Sequence, residues 1–140
     1  MTMIITQSLT LQTNGRGDIA DLTQKLVETL ANSKLSKGTM TIFVTGSTAG
    51  ITTLEFEPNL VTDFKEMWQK LAPEGVSYHH DNTWGDSNGY AHVRASLLGA
   101  SLVVPFDKGN LALGTWQQVV LVDFDEKPRT RNVIVQMMGE

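Results

Sequence analysis

The stretch His92-Val93-Arg94-Ala95-Ser96-Leu97-Leu98-Gly99-Ala100-Ser101-Leu102-Val103-Val104-Pro105 changes character in its middle, and that change decides the fold. His92 to Leu98 reads as a short helix. Gly99 is a natural residue just past its end, where a left-handed backbone is often needed. Ser101 to Pro105 reads as a strand, and the chain after it is strand-patterned. Leu111 to Phe124 and Arg131 to Met138 are the two later strands, with Asp125-Glu126-Lys127-Pro128 as the turn between them. Leu111 to Phe124 is long for one strand, so a bend or bulge is expected within it.

Upstream, strands and helices are mixed. Ile4 to Leu11 alternates loosely as an opening strand, and Gly15-Arg16-Gly17 breaks it. Asp18 reads as the cap of a helix with apolar positions Ile19, Leu22, Leu26 and Leu30, closed by Asn32 to Gly38. Thr39 to Thr45 alternates as a strand through Met40, Ile42 and Val44, and Ile51 to Phe56 reads as its partner. Glu57-Pro58 opens a second helix, because an N–H missing from the first turn has no intrahelical partner to lose. Leu60, Val61, Phe64, Met67, Trp68 and Leu71 form its apolar stripe. Ala72 to Gly89 reads as a long polar loop, a kind that is usually functional or disordered. Mixed elements early and strands late indicate α+β.

The chain has 140 residues, which fits one domain over 1–140 with a core of its own. A hydrophobic fraction of 41% and a charged fraction of 19% describe a globular protein rather than a disordered one. There is no cysteine, which excludes disulfides, thiolate metal sites and cysteine nucleophiles. The net charge is −4, with 11 basic residues that nowhere cluster, so no nucleic-acid partner is expected. No apolar run approaches the roughly 20 residues that cross a bilayer. The start lacks the basic and apolar segments of a signal peptide, so the expectation is a cytoplasmic protein without a membrane partner.

Polar chemistry gathers in a few places. Gly46-Ser47-Thr48-Ala49-Gly50 can turn backbone N–H groups onto an anion, or can simply be a turn chosen for its backbone angles. His79-His80-Asp81, with the loop to Asp86, puts a carboxylate beside an imidazole. That pair can orient the ring or hold Mg2+ through oxygen, and a solvated loop remains the plain alternative. On a helix His92 and Ser96 share a face, while Arg94 projects about 200° from His92. Arg94 then reaches another part of the site, a neighbouring subunit or a surface ion pair. Glu55 and Glu57 flank Phe56 and would share a strand face, either as a cation-binding pair or as solvated charges.

These residues also carry a resemblance. The chain resembles the YjbQ-like (UPF0047) family along essentially its whole length. The match includes Gly15 to Ile19, Phe43 to Thr52, Tyr78, His80-Asp81, Asn88-Gly89, His92 to Gly99, Leu113-Gly114-Thr115-Trp116-Gln117 and the closing Arg131 to Gly139 strand. The resemblance implies an α+β fold built on a β-sandwich of mostly antiparallel strands with about three helices. It also implies a homotrimer, and a site made from the histidine-bearing loop, the helix ending at Gly99 and the Ser47-Thr48 turn. Many members carry histidine where this chain has Gly46, and a second histidine where it has Tyr90. Zinc usually takes four ligands, and no thiolate is available here. A tight zinc site is therefore not expected, which leaves His80 and His92 as a weaker metal pair.

The activity implied by the resemblance is a secondary thiamine-phosphate synthase. Hydroxymethylpyrimidine pyrophosphate would lose pyrophosphate and be captured by thiazole phosphate. Such chemistry needs positive charge or N–H donors on the departing pyrophosphate, commonly with Mg2+. Ser47, Thr48, Arg94, Ser96 and Asn88 are the expected phosphate binders. Glu55 and Asp81 would hold the cation, and His92 would move a proton, with Arg94 beside it in the catalytic set. Two alternatives stand beside this: a non-catalytic binder of a phosphorylated metabolite, and a metal-dependent hydrolase using His80, Asp81 and His92.

Overall fold

The computed structural model describes residues 1–140. The elements run β1 (Met3–Thr13), β2 (Asp18–Asp21), α1 (Thr23–Ser33), β3 (Gly38–Thr45), β4 (Ala49–Leu54) and α2 (Pro58–Leu71). They continue with α3 (His79–Trp84), α4 (Gly89–Leu98), β5 (Ser101–Asp107), β6 (Asn110–Leu111), β7 (Gln118–Asp123) and β8 (Arg129–Gly139). The strands form two antiparallel sheets, a five-stranded one in the order β1-β8-β3-β5-β6 and a three-stranded one in the order β2-β7-β4. This is the α+β architecture expected, with four helices where the resemblance implied about three.

Alternation builds the layers. Val133, Val135 and Met137 of β8, with Met40, Ile42 and Val44 of β3, point inward from the large sheet. Ile51, Val119 and Leu121 meet them from the small sheet, and Leu22, Leu26 and Leu30 close that core. The other face of β7 is also buried, through Val120 and Val122. There α2 and α4 cover it with Trp68, Tyr90, Ala91 and Ala95. The unbroken apolar run Val119-Val120-Leu121-Val122 follows from this, because a strand covered on both faces needs no polar side.

Four local readings change. Asp18 does not cap a helix; it opens β2 opposite Asp123. The carboxylate of Asp21 instead accepts from the N–H of Thr23, at 2.9 Å, where α1 begins. The helical spacing misled because Ile19 packs on one core and Leu22 on the other. Ile51 to Phe56 is not the partner of Thr39 to Thr45, since β4 pairs with β7 and the Gly46–Thr48 turn carries the chain from one sheet to the other. Leu111 to Phe124 is not one bent strand. Leu111 ends β6, and Ala112 to Gln117 crosses to the small sheet in a turn closed by Gln117 N–H to Gly114 O and Gly114 N–H to Gln117 Oε1, both 3.0 Å. Finally, the Ala72 to Gly89 stretch contains α3.

Gly99 and Ala100 fix α4 at the seam of the two sheets. Ala100 O accepts from Val44 N–H at 2.9 Å, and Gly99 O accepts from Ile51 N–H at 3.0 Å. The helix that carries His92 and Arg94 is thereby held by both layers.

Candidate functional site

Helix α3 has no apolar stripe to hold it, so polar bonds do. The Asp81 carboxylate accepts from Tyr78 N–H at 3.2 Å and from Gly89 N–H at 2.9 Å, tying the start of α3 to the start of α4. Burial alone would raise the Asp81 carboxyl, but these two N–H groups and His80 outweigh it and hold it below the usual carboxylate range. Close packing adds to the tie, since a Cβ on Gly89 would stand 2.6 Å from the Tyr78 Cβ.

This junction places His80 next to His92, with ring centroids 4.3 Å apart. His80 Nδ1 lies 3.4 Å from Asp81 Oδ1 and 3.4 Å from Asp86 Oδ1. One ligand atom from each of His80, Asp81 and Asp86 falls within 4.8 Å of the others, so the three can share one cation. The two carboxylates offer the oxygen ligands that Mg2+ takes with water completing the shell, while a bond from the His80 nitrogen would suit a transition ion better. The grouping is that of His80-Asp81 with the loop to Asp86, one of the arrangements expected from the sequence, and the expected metal pair of His80 with His92 is here a ring-to-ring contact beside it. Glu55 does not join it: Glu55 is exposed in a shallow groove with Asp21, Phe56 and Trp116. Its neighbour Glu57 caps α2, accepting from Asn59 N–H at 3.1 Å and Leu60 N–H at 2.8 Å.

Burial pushes the His92 imidazole below its ordinary pKa, and the adjacent His80 adds to the effect. The Asp125 carboxylate pulls the other way. Asp125 belongs to a buried charge network that sequence reading missed. The Arg131 guanidinium donates from Nε to Asp123 Oδ2 and from Nη2 to Asp123 Oδ1, each at 2.7 Å. Arg131 Nη2 also donates to the Thr48 hydroxyl at 2.6 Å, and that hydroxyl donates to Asp125 Oδ2 at 2.9 Å. Thr13 donates to Asp123, and Arg129 Nε to Asp125 at 2.9 Å. For Asp125 burial raises the carboxyl, but Thr48, the Glu126 N–H and Arg129 bring it below the usual range. A signal was present in the sequence: Arg131 shares the inward register of Val133, Val135 and Met137, and a charge there must be paired.

Thr48 is thus buried in this network, while Ser47 is exposed on the same turn. Gly46 has φ +126°, and a Cβ there would stand 2.7 Å from Arg131 Nη1. A histidine at this position would need both the backbone and the guanidinium to move. Ser96 is exposed one turn after His92. Asn88 is buried just before α4, with its Oδ1 lacking a partner.

Arg94 lies elsewhere. Its Nε donates to Ala72 O at 2.8 Å and its Nη2 to Gln69 Oε1 at 3.2 Å, toward α2 rather than toward His92. The angular separation along the helix accounts for this.

A two-sheet α+β protein with a histidine–carboxylate cluster at a helix junction is what the fold and geometry define. The family model for the "UPF0047 protein YjbQ-like" matches residues 7–140. A UPF0047 protein of Archaeoglobus fulgidus is 42% identical over 130 residues, covering 93% of this chain and 98% of that one. YugU of Bacillus subtilis is 31% identical, covering 95% and 98%. The crystal structure of a YbjQ-like protein of unknown function from Sulfolobus solfataricus superposes with a TM-score of 0.93 at 29% identity, each chain fully covered. A hypothetical protein from Aeropyrum pernix gives 0.90 at 33% identity, covering 97% and 99%. The chain belongs to the YjbQ-like UPF0047 family.

Proposed function

We propose that this protein is a cytoplasmic, homotrimeric secondary thiamine-phosphate synthase, joining hydroxymethylpyrimidine pyrophosphate to thiazole phosphate with release of pyrophosphate. The observation that carries the reading is the convergence of His80, Asp81 and Asp86 beside His92. Asp81 and Asp86, with His80, are the residues that would hold Mg2+, which supplies charge neutralisation to a departing pyrophosphate when bound. Asp81 takes the cation role together with Asp86, and Glu55 is replaced in it. His92, kept neutral by burial, can donate an N–H to a phosphate oxygen or accept a proton. Ser47, Ser96 and Asn88 are retained as the hydroxyl and amide donors to phosphate, and the cation at the Ser47-Thr48 turn is Arg131, paired with Asp123, rather than Arg94. Arg131 Nη1 makes none of the bonds described above and lies against the Gly46 turn.

Purified protein given both substrates and Mg2+ should form thiamine phosphate, detected as its fluorescent thiochrome derivative. His92→Ala should slow formation by about 10²-fold, the lower range for losing a positioned acid–base group. No product above a boiled control, with both substrates saturating, overturns the reading. One observation favours a second reading, binding of a phosphorylated metabolite without turnover. Gly46 leaves no imidazole at the Ser47-Thr48 turn. Thermal stabilisation by thiamine precursors with no product would select it.

A further inference from the structure

Behind α4, where Arg94 points, a cavity of about 140 Å3 lies between α2, the Gly15–Gly17 turn and the end of β7. Three observations converge on it. Arg94 is 6% exposed and has no carboxylate partner; its two bonds go to a carbonyl and a side-chain amide. A buried cation is normally paired with a carboxylate; this one is set over the Tyr90 and Phe124 rings, at 5.0 and 5.8 Å, and otherwise faces the cavity. The floor is aromatic, with Phe64 and Phe124 set edge-on to Trp68 at centroid distances of 5.8 and 5.0 Å. Trp68 is 3% exposed, lines the cavity, and its Nε1–H meets no acceptor.

The rim sharpens the charge. Arg16 and Lys65 stand there, and the one acid in the lining, Glu74, is paired with Arg16. Lys65 and Arg94 are left as cations without a counter-ion in the lining. The volume is close to that of cavities of about 150 Å3 that hold a benzene ring. The geometry points to a binding site for a small planar carboxylate, its ring on the Phe64–Trp68–Phe124 floor and its anion between Arg94 and Lys65. An acceptor oxygen of the ligand answers the Trp68 Nε1–H. This site is separate from the His80–His92 cluster and stands whether or not the thiamine-phosphate reading does.

Benzoate titrated into the 15N-labelled full chain tests it, with the indole N–H cross-peaks as readout. The Trp68 cross-peak should move saturably while those of Trp84 and Trp116, which are 74% and 71% exposed, stay in place. Benzyl alcohol, which keeps the ring and loses the charge, should bind at least about tenfold more weakly. Lys65→Ala, at the exposed rim, should weaken benzoate and leave the free protein's spectrum otherwise unchanged. Inorganic phosphate should not move Trp68. A Trp68 cross-peak that stays fixed overturns the proposal. So does equal binding of benzyl alcohol, which would mean a merely apolar void, or a phosphate response matching benzoate's, which would mean a general anion site.

Discussion

Arg131 and Asp123 are the residues on which the interior depends most. Their bidentate pair is almost wholly buried, so removing one partner strands the other charge. Arg131→Ala should lower the unfolding free energy by about 3–5 kcal/mol in urea titrations. The double variant Arg131→Met, Asp123→Leu should recover only part of that loss: it strands neither member of the pair, but it leaves Thr13 and the Asp125 N–H without their Asp123 acceptor. Acid has a related effect. Asp81 and Asp125 are both held below the ordinary carboxylate range, so the folded state binds fewer protons there than the unfolded chain. Their stabilisation is present above the unfolded carboxyl pKa and is lost as pH falls through the depressed folded values. His92, also depressed, acts in the same sense at its own higher pH, since the unfolded imidazole takes its proton first. Thermal midpoints should therefore fall on acidification, and Asp81→Asn should flatten the carboxylate part of that fall. At this scale the sequence was legible where spacing acts locally: the angle between His92 and Arg94 follows from three residues of helix. Arg131 and Asp123 are eight residues apart but lie on strands of different sheets, and neither strand's alternation names that pair.

At the scale of elements, patterns confined to one face or one helix were readable and those crossing between layers were not. The stripe from Leu60 to Leu71 marks α2, and alternation marks β3 and β8. The helix reading at Asp18 failed because Ile19 and Leu22 belong to different cores. The crossing at Gly114–Gln117 was hidden because β6 and β7 read as one apolar run interrupted by polar residues. Helix α3 escaped periodicity altogether, since side-chain and backbone bonds through Asp81, rather than an apolar face, hold it. Caps, by contrast, act locally. Glu57→Ala removes two acceptors at the start of α2 and should cost about 1 kcal/mol in chemical denaturation.

For the whole molecule, the large sheet leaves its outer face uncovered within one chain. Phe43, Val103 and Met138 on β3, β5 and β8 are 42%, 58% and 47% exposed, and the proposed trimer would have this face to cover. Light scattering should return three times the chain mass, and a monomeric mass at micromolar concentration would remove that part of the proposal. The two sites sit on opposite sides of α4, so their ligands should bind independently unless the helix moves. The claim on which the functional account turns is that His80, Asp81 and Asp86 hold the cation that receives pyrophosphate. Calorimetric titration of pyrophosphate in the presence of Mg2+ tests it, comparing the native chain with Asp86→Asn and Glu55→Gln. The account predicts Mg2+-dependent binding that is unchanged in Glu55→Gln and at least about tenfold weaker in Asp86→Asn. Equal affinity in all three proteins, or a loss confined to Glu55→Gln, would contradict it.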